Sequence, residues 1–170
     1  MELQEFKTKV LPAKQKLYRL ALFLLHDKEE AEDMLQDVFL KLWTQKDKLH
    51  AYNSIEAFAM SITKNLCLDK LKSRKRKQMV DVADMDIRSG DATPYQHSEL
   101  ADSMSKVNML LAALPEQQKL VLHLRDVEGY SFEEIEQITN LTVNNLRVIL
   151  SRARKSVRDG YLKLENYEVG

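Results

Sequence analysis

Residues that break helices are scarce in this chain. Its 170 residues include four glycines and three prolines, too few for the closely spaced turns of a β-sandwich or barrel. An all-α fold is the expectation. The single cysteine, Cys67, cannot form an internal disulfide. No hydrophobic run is long enough to span a bilayer, and the N-terminus lacks the pattern of a secretory leader. These absences point to a cytoplasmic protein with no direct membrane insertion. His26, His50, His97 and His123 are scattered, no Cys/His spacing suggests zinc, and no glycine-rich loop is present to cradle a nucleotide. The carboxylates read as helix caps and solvated faces, so the chain is expected to have no cofactor and no catalytic residues. Lys plus Arg and Asp plus Glu number 26 each. A net charge of zero looks wrong for a nucleic-acid binder until the charges are placed along the chain, where they fall into separate blocks.

The most informative block runs from Ser131 to Arg158, SFEEIEQITNLTVNNLRVILSRARKSVR. Ser131 and Glu134 have the spacing of a capping box, predicting a helix with Phe132, Ile135 and Ile138 on its inner side. Asn140 tolerates the left-handed conformation that ends a helix abruptly. Thr142 can cap a second helix, in which Leu146, Ile149, Leu150, Ala153 and Val157 form an apolar stripe. Asn144, Arg147, Val148, Ser151, Arg152 and Lys155 lie on the opposite face, with Arg154 and Arg158 beside it and no acid between Arg147 and Arg158. Arginine reads guanine edges, asparagine and serine hold phosphates, and valine touches a thymine methyl. A basic face alone also suits a solvated bundle helix. Cap, short turn, small-residue packing and basic face together favour a helix-turn-helix DNA reader.

Earlier in the chain, Pro12 suits a first helical turn, followed by Leu17, Tyr18, Ala21, Leu24 and Leu25 in a helix ending near Asp27. EEAEDMLQDVFLKLW, residues 29–43, is the clearest amphipathic helix, with Ala31, Met34, Leu35, Val38, Phe39 and Leu42 on one stripe. Off that stripe stand Asp33, Gln36, Asp37 and Leu40. Read from the residues alone this is a solvated face with one stray leucine, and the same mixture suits docking on a partner's basic helix. Ser54 can cap a third helix that turns Ile55, Phe58, Ala59, Ile62 and Leu66 inward. That helix runs into Lys70, Lys72, Arg74, Lys75, Arg76 and Lys77, a footprint for a phosphate backbone or an ordinary charged helix end. Residues 78–103 are acidic, with Gly90 and Pro94, and read as a flexible linker whose acids are most simply solubilising. Two small helical domains follow, residues 1–77 and 104–170. The second opens with Val107, Leu110, Leu111 and Leu114 in one helix and Leu120, Val121 and Leu124 in the next.

The chain as a whole resembles an extracytoplasmic-function type sigma factor of the sigma-70 family. EEAEDMLQDVFLKLW resembles the helix with which that family docks on the clamp helices of the RNA polymerase largest subunit, which implies a core-binding role for Asp33, Gln36, Asp37 and Leu40. SIEAFAMSITKNLCLDKLKSRKRK resembles the promoter-melting and minus-ten segment, implying DNA contacts from Asn65, Arg74, Lys75 and Arg76. LPEQQKLVLHLRDVEGYSFEEIEQITNLTVNNLRVILSRAR resembles the minus-35 reader. There are departures. Glu136 stands where the family usually has alanine, Asn140 replaces a commoner turn glycine, and Val148 and Ile149 change the set near the bases. The resemblance implies a dissociable promoter-specificity subunit of bacterial RNA polymerase, binding polymerase core, promoter DNA and a reversible anti-sigma factor. The competing readings are a free-standing helix-turn-helix regulator that binds an operator as a dimer, and a helical bundle that only binds proteins.

Overall fold

The computed structural model describes residues 1–81 and 99–169, all of whose regular structure is helical. The residues between, which carry Asp84, Asp86, Arg88, Gly90, Asp91 and Pro94 of the expected linker, lie outside the described residues. The chain opens with a helix that the sequence reading missed, α1 (Leu3–Val10). Phe6 and Val10 face inward from it, and Phe6 meets Trp43 edge-on at 5.1 Å between centroids. Pro12 sits in a single 3₁₀ turn, Leu11–Ala13, so the next helix, α2 (Lys14–Leu25), starts after the proline. His26 ends α2 in the left-handed region at φ 57°. Asp27 then caps α3 (Lys28–Thr44) by accepting from the Glu30 amide at 3.1 Å.

Ser54 caps α4 (Ile55–Asp81), its Oγ accepting from the Ala57 amide at 3.1 Å. The expected linker began at residue 78, but no glycine or proline interrupts the sequence there, and α4 continues to Asp81. In the same way α5 (Glu99–Ala112) starts before the predicted boundary at residue 104. Next come α6 (Glu116–Leu122), a π-helical turn over His123–Val127, α7 (Phe132–Thr139) and α8 (Val143–Val169). Gly129, at φ 75°, reverses the chain between the π turn and α7, a conformation that a side chain disfavours.

In the first half α2 packs on α3 and α4; in the second, α8 packs on α5, α6 and α7. Leu17, Leu20, Leu24, Leu42 and Leu49 fill one centre, and Leu124, Ile135, Ile138 and Leu146 fill the other. The two halves also pack on each other, chiefly through α4 and α7, and their buried side chains form one continuous cluster. This explains α4. A helix against one neighbour buries one stripe, yet Met60, Thr63 and Cys67 are all fully buried beside the predicted Ala59 and Ile62. Burial pushes the Cys67 thiol up to about 12, so it packs as a small apolar group.

Candidate nucleic-acid interface

The helix-turn-helix is fixed by short polar contacts. Ser131 Oγ accepts from the Glu134 amide at 3.1 Å, which starts α7. Asn140 closes it at φ 61°, the left-handed stop expected from its sequence position. Thr139 Oγ1 donates to the Ile135 carbonyl at 2.7 Å and accepts from the Leu141 amide at 3.2 Å, holding the turn. Two caps then start α8. Thr142 Oγ1 accepts from the Asn145 amide at 3.2 Å, and the Glu136 carboxylate accepts from the Val143 amide at 3.0 Å. Glu136 is therefore a cap reaching across from the preceding helix, where its charge also favours the positive end of α8. Sequence reasoning had only its departure from the family pattern, because a cap seven residues away follows no local rule.

With Leu146, Ile149, Leu150 and Ala153 buried, the outer face of α8 is determined. Asn144, Arg147, Val148, Ser151, Arg152 and Lys155 are all exposed along it, brought together as predicted. Ile149 belongs to the core and has no access to a base edge. Arg147 lies over the Phe132 ring at 5.5 Å from its centroid, which restrains its approach. Arg154 is drawn off this face by a two-point ion pair with Asp126, one contact being 3.0 Å.

On α4 the predicted set divides. Asn65, Lys75 and Arg76 are exposed, whereas Arg74 is half-buried, paired with Glu30 of α3 and 3.5 Å from the Leu25 carbonyl oxygen. At helical spacing Asn65, Lys72 and Arg76 share one face, with Arg74 half a turn away. Arg74 thus ties α4 to α3, a role that the run of basic residues concealed. A cleft of about 660 Å³ separates Lys64, Leu71, Lys72 and Lys75 of α4 from Gln117 and Leu141 in the second half. Burial lowers the Lys64 ammonium from its ordinary range.

On α3, Asp33, Gln36, Asp37 and Leu40 form one exposed surface, with Leu40 69% exposed. Next to it a groove of about 800 Å³ is lined by Leu11, Tyr18, Glu32, Gln36 and Phe39. Among the described residues no helix is long and apolar enough to cross a membrane.

The geometry matches known proteins over most of the chain. The family model described as Sigma-70 region 2 matches residues 11–77, and the one described as Sigma-70, region 4 matches residues 105–157. ECF RNA polymerase sigma factor SigX of Bacillus subtilis (strain 168) is 24% identical over 149 residues, covering 85% of this chain and 77% of SigX. The probable RNA polymerase sigma factor RfaY of Xanthomonas campestris pv. campestris is 27% identical over 148 residues; these are 85% of this chain but only 37% of RfaY's length. Among solved structures, the sigma factor RpoE, in complex with the anti-sigma factor NepR from Bartonella quintana, superposes with a TM-score of 0.75 at 24% identity. It covers 95% of this chain and 98% of that one, a likeness of fold.

Proposed function

The chain belongs to the extracytoplasmic-function branch of the sigma-70 family, and from that premise we propose that it is a dissociable subunit that gives bacterial RNA polymerase its promoter specificity. It contributes recognition and no bond chemistry. The observation that carries this reading is the doubly capped α8 with its unbroken polar and basic face. In this reading Arg147 and Arg152 reach guanine edges, Asn144, Ser151 and Lys155 hold phosphates, and Val148 meets a thymine methyl in the minus-35 element. Along α4, Asn65 faces unstacked minus-ten bases, while Lys75 and Arg76 neutralise the phosphate backbone. Docking on core falls to α3, through Asp33, Gln36, Asp37 and Leu40. The first domain takes core and the minus-ten element and the second takes the minus-35 element. A reversible anti-sigma factor is the expected inhibitor, in the cytoplasm where the polymerase works.

The test is transcription in vitro with purified core polymerase, with and without the chain, on a library of promoter fragments. Specific transcripts that need both components are the expected result. A set of transcripts that does not change when the chain is added overturns the proposal. Strong, symmetric protection of DNA by the chain alone would instead favour the dimeric operator-binding regulator.

A further inference from the structure

On α7, the first helix of the helix-turn-helix, the ring of Phe132 carries two guanidinium groups. Arg125 Cζ lies 4.6 Å from the ring centroid and Arg147 Cζ 5.5 Å. Phe132 is the first residue of α7, directly after the Ser131 cap, and is half-buried against the core. Cap and core together fix the backbone that holds the ring. Arg125 is also fastened, since its Nη1 donates to the Tyr130 carbonyl at 2.8 Å. Arg147 is different. It is exposed on α8, and among the described residues its guanidinium has no hydrogen bond or ion pair, so the Phe132 ring is what restrains it. Arg152, on the same face of α8, has no ring or acid against its guanidinium among the described residues.

The difference matters for reading a base. An arginine free on a helix surface samples many rotamers and loses that freedom when a base edge fixes it. A ring beneath the guanidinium removes part of that cost before DNA arrives. Stacking also leaves the N–H edge of the planar group open to the O6 and N7 acceptors of a guanine. Phosphate contacts need no such preparation, because a phosphate is served by charge from many directions. Arg147 lies in the first two turns of α8, and the early residues of a recognition helix are the ones that meet base edges.

We propose that Phe132 is a positioning residue for base recognition, whose ring holds the Arg147 guanidinium ready for one guanine of the minus-35 element and so sharpens discrimination at that position. The proposal rests on the sigma-factor reading for its consequence and on the ring contacts for its physical basis. Arg125, tied to the Tyr130 carbonyl and packed on the same ring, keeps the ring from swinging away. A ring that only filled the core would behave otherwise. Its loss would loosen the whole motif and blunt every minus-35 position together, whereas a positioning ring acts at the one position that Arg147 reads.

The stack is tested in the full chain without DNA, by nuclear magnetic resonance. The Phe132 ring current is expected to shift the Arg147 side-chain protons, and the shift should vanish in Phe132→Leu, which keeps an apolar helix-forming side chain there. Unshifted Arg147 protons in the unmodified chain overturn the proposal. The consequence is tested with core polymerase and the full chain on promoters carrying each single substitution in the minus-35 element. Arg147→Ala marks the position that Arg147 reads; if it changes none, the proposal falls. At that position Phe132→Leu should lose about two- to fivefold of the preference for guanine, the range for an exposed guanidinium stack, while Phe132→Tyr, which retains the ring, should match the parent. Phe132→Leu combined with Arg147→Ala should discriminate no worse than Arg147→Ala alone, because the ring acts through the arginine. The position marked by Arg152→Ala should keep its preference. Equal losses at every position, or no loss at the Arg147 position, overturn the proposal; if Phe132→Leu does not fold, Phe132→Met replaces it with the same expectations. Transcription by core with the unmodified chain tests the sigma reading separately. Transcripts together with a parent-like Phe132→Leu profile remove the positioning role and leave the function, whereas the lack of any chain-dependent transcript removes the function and the positioning role with it.

Discussion

His123 is the residue whose environment differs most from what its sequence position suggests. It is 3% exposed, neither ring nitrogen has a hydrogen-bond partner among the described residues, and Nε2 stands 3.5 Å from the Glu128 carboxylate. Burial, with Arg19 adding to it and Glu128 opposing it, pulls its pKa down to about 4. An exposed histidine protonates near 6.5. Between those values the unfolded chain holds a proton that the native chain refuses, so stability rises with pH across that window and is lost as pH falls from about 6.5 toward 4. The contribution is on the order of 3 kcal/mol. His26 shifts downward as well, through burial and the neighbouring Lys119 ammonium. Urea midpoints measured from pH 7.5 to 5 should fall in the native chain and fall less in His123→Phe, which keeps a ring stacked on Phe23. Parallel curves for the two would show that His123 does not govern the acid sensitivity.

Two exposed residues carry sharper functional tests. Arg152→Ala should flatten discrimination at one minus-35 position, since a bidentate arginine-guanine pair contributes about 1–3 kcal/mol. Identical responses of mutant and parent to every minus-35 substitution would mean that Arg152 reads no base. Leu40→Asp should weaken co-purification with core and leave helix content unchanged, because a docked leucine contributes about 1.5–3 kcal/mol and a desolvated carboxylate opposes docking. Retention on core equal to the parent's would count against the α3 surface.

At the scale of elements, the structure gives α8 and α4 different kinds of support. The start of α8 has two side-chain caps, one from its own N-cap residue and one from Glu136. Loss of a cap costs a helix about 0.5–2 kcal/mol, so Glu136→Ala should lower thermal stability and loosen minus-35 binding together, while base preference stays the same. A changed preference with unchanged stability would contradict the capping role. In α4, replacing Lys75 and Arg76 with glutamine should reduce the salt dependence of promoter binding by core with the chain, by roughly 0.9 per lost phosphate contact, or about 1.8 in the slope of log K against log salt. Arg74→Gln belongs to another class. Since Arg74 pairs with Glu30, its loss should act on the stability of the first half, and a slope change as large as the other two give would refute that assignment.

For the whole molecule, charge balance and ion pairing decide how DNA is met. A chain with 26 cationic and 26 acidic side chains has no net attraction to DNA from a distance. Pairs such as Arg74 with Glu30, Arg19 with Glu128 and Arg154 with Asp126 occupy cations that composition alone would assign to phosphates. Binding should therefore depend on presenting a few unpaired groups at the correct separation. In that case the free chain should footprint its promoter weakly at physiological salt, and core should convert it into a specific reader. Equal protection with and without core would contradict this account.

The sequence by itself determined most of the elements, though not α1 or the ends of α4 and α5, and the outward faces of α3 and α8. Helical periodicity, Ser131, Thr142, Ser54 and Asn140 located the starts and stops, because caps and turns are local interactions between residues a few positions apart. Apolar stripes on α3 and α8 decided which side chains face solvent, and so exposed Leu40, Arg152 and their neighbours at the predicted places. Only the tertiary structure decided which of the exposed-looking cations are free and how the halves are joined. Arg74 with Glu30, Glu136 with the Val143 amide, and Arg19 with Glu128 join residues 44, 7 and 109 positions apart, in pairings that follow no periodicity. Met60, Thr63 and Cys67 tell the same story. Their burial was hidden because α4 has neighbours on two sides, and a single stripe of hydrophobic residues can announce only one.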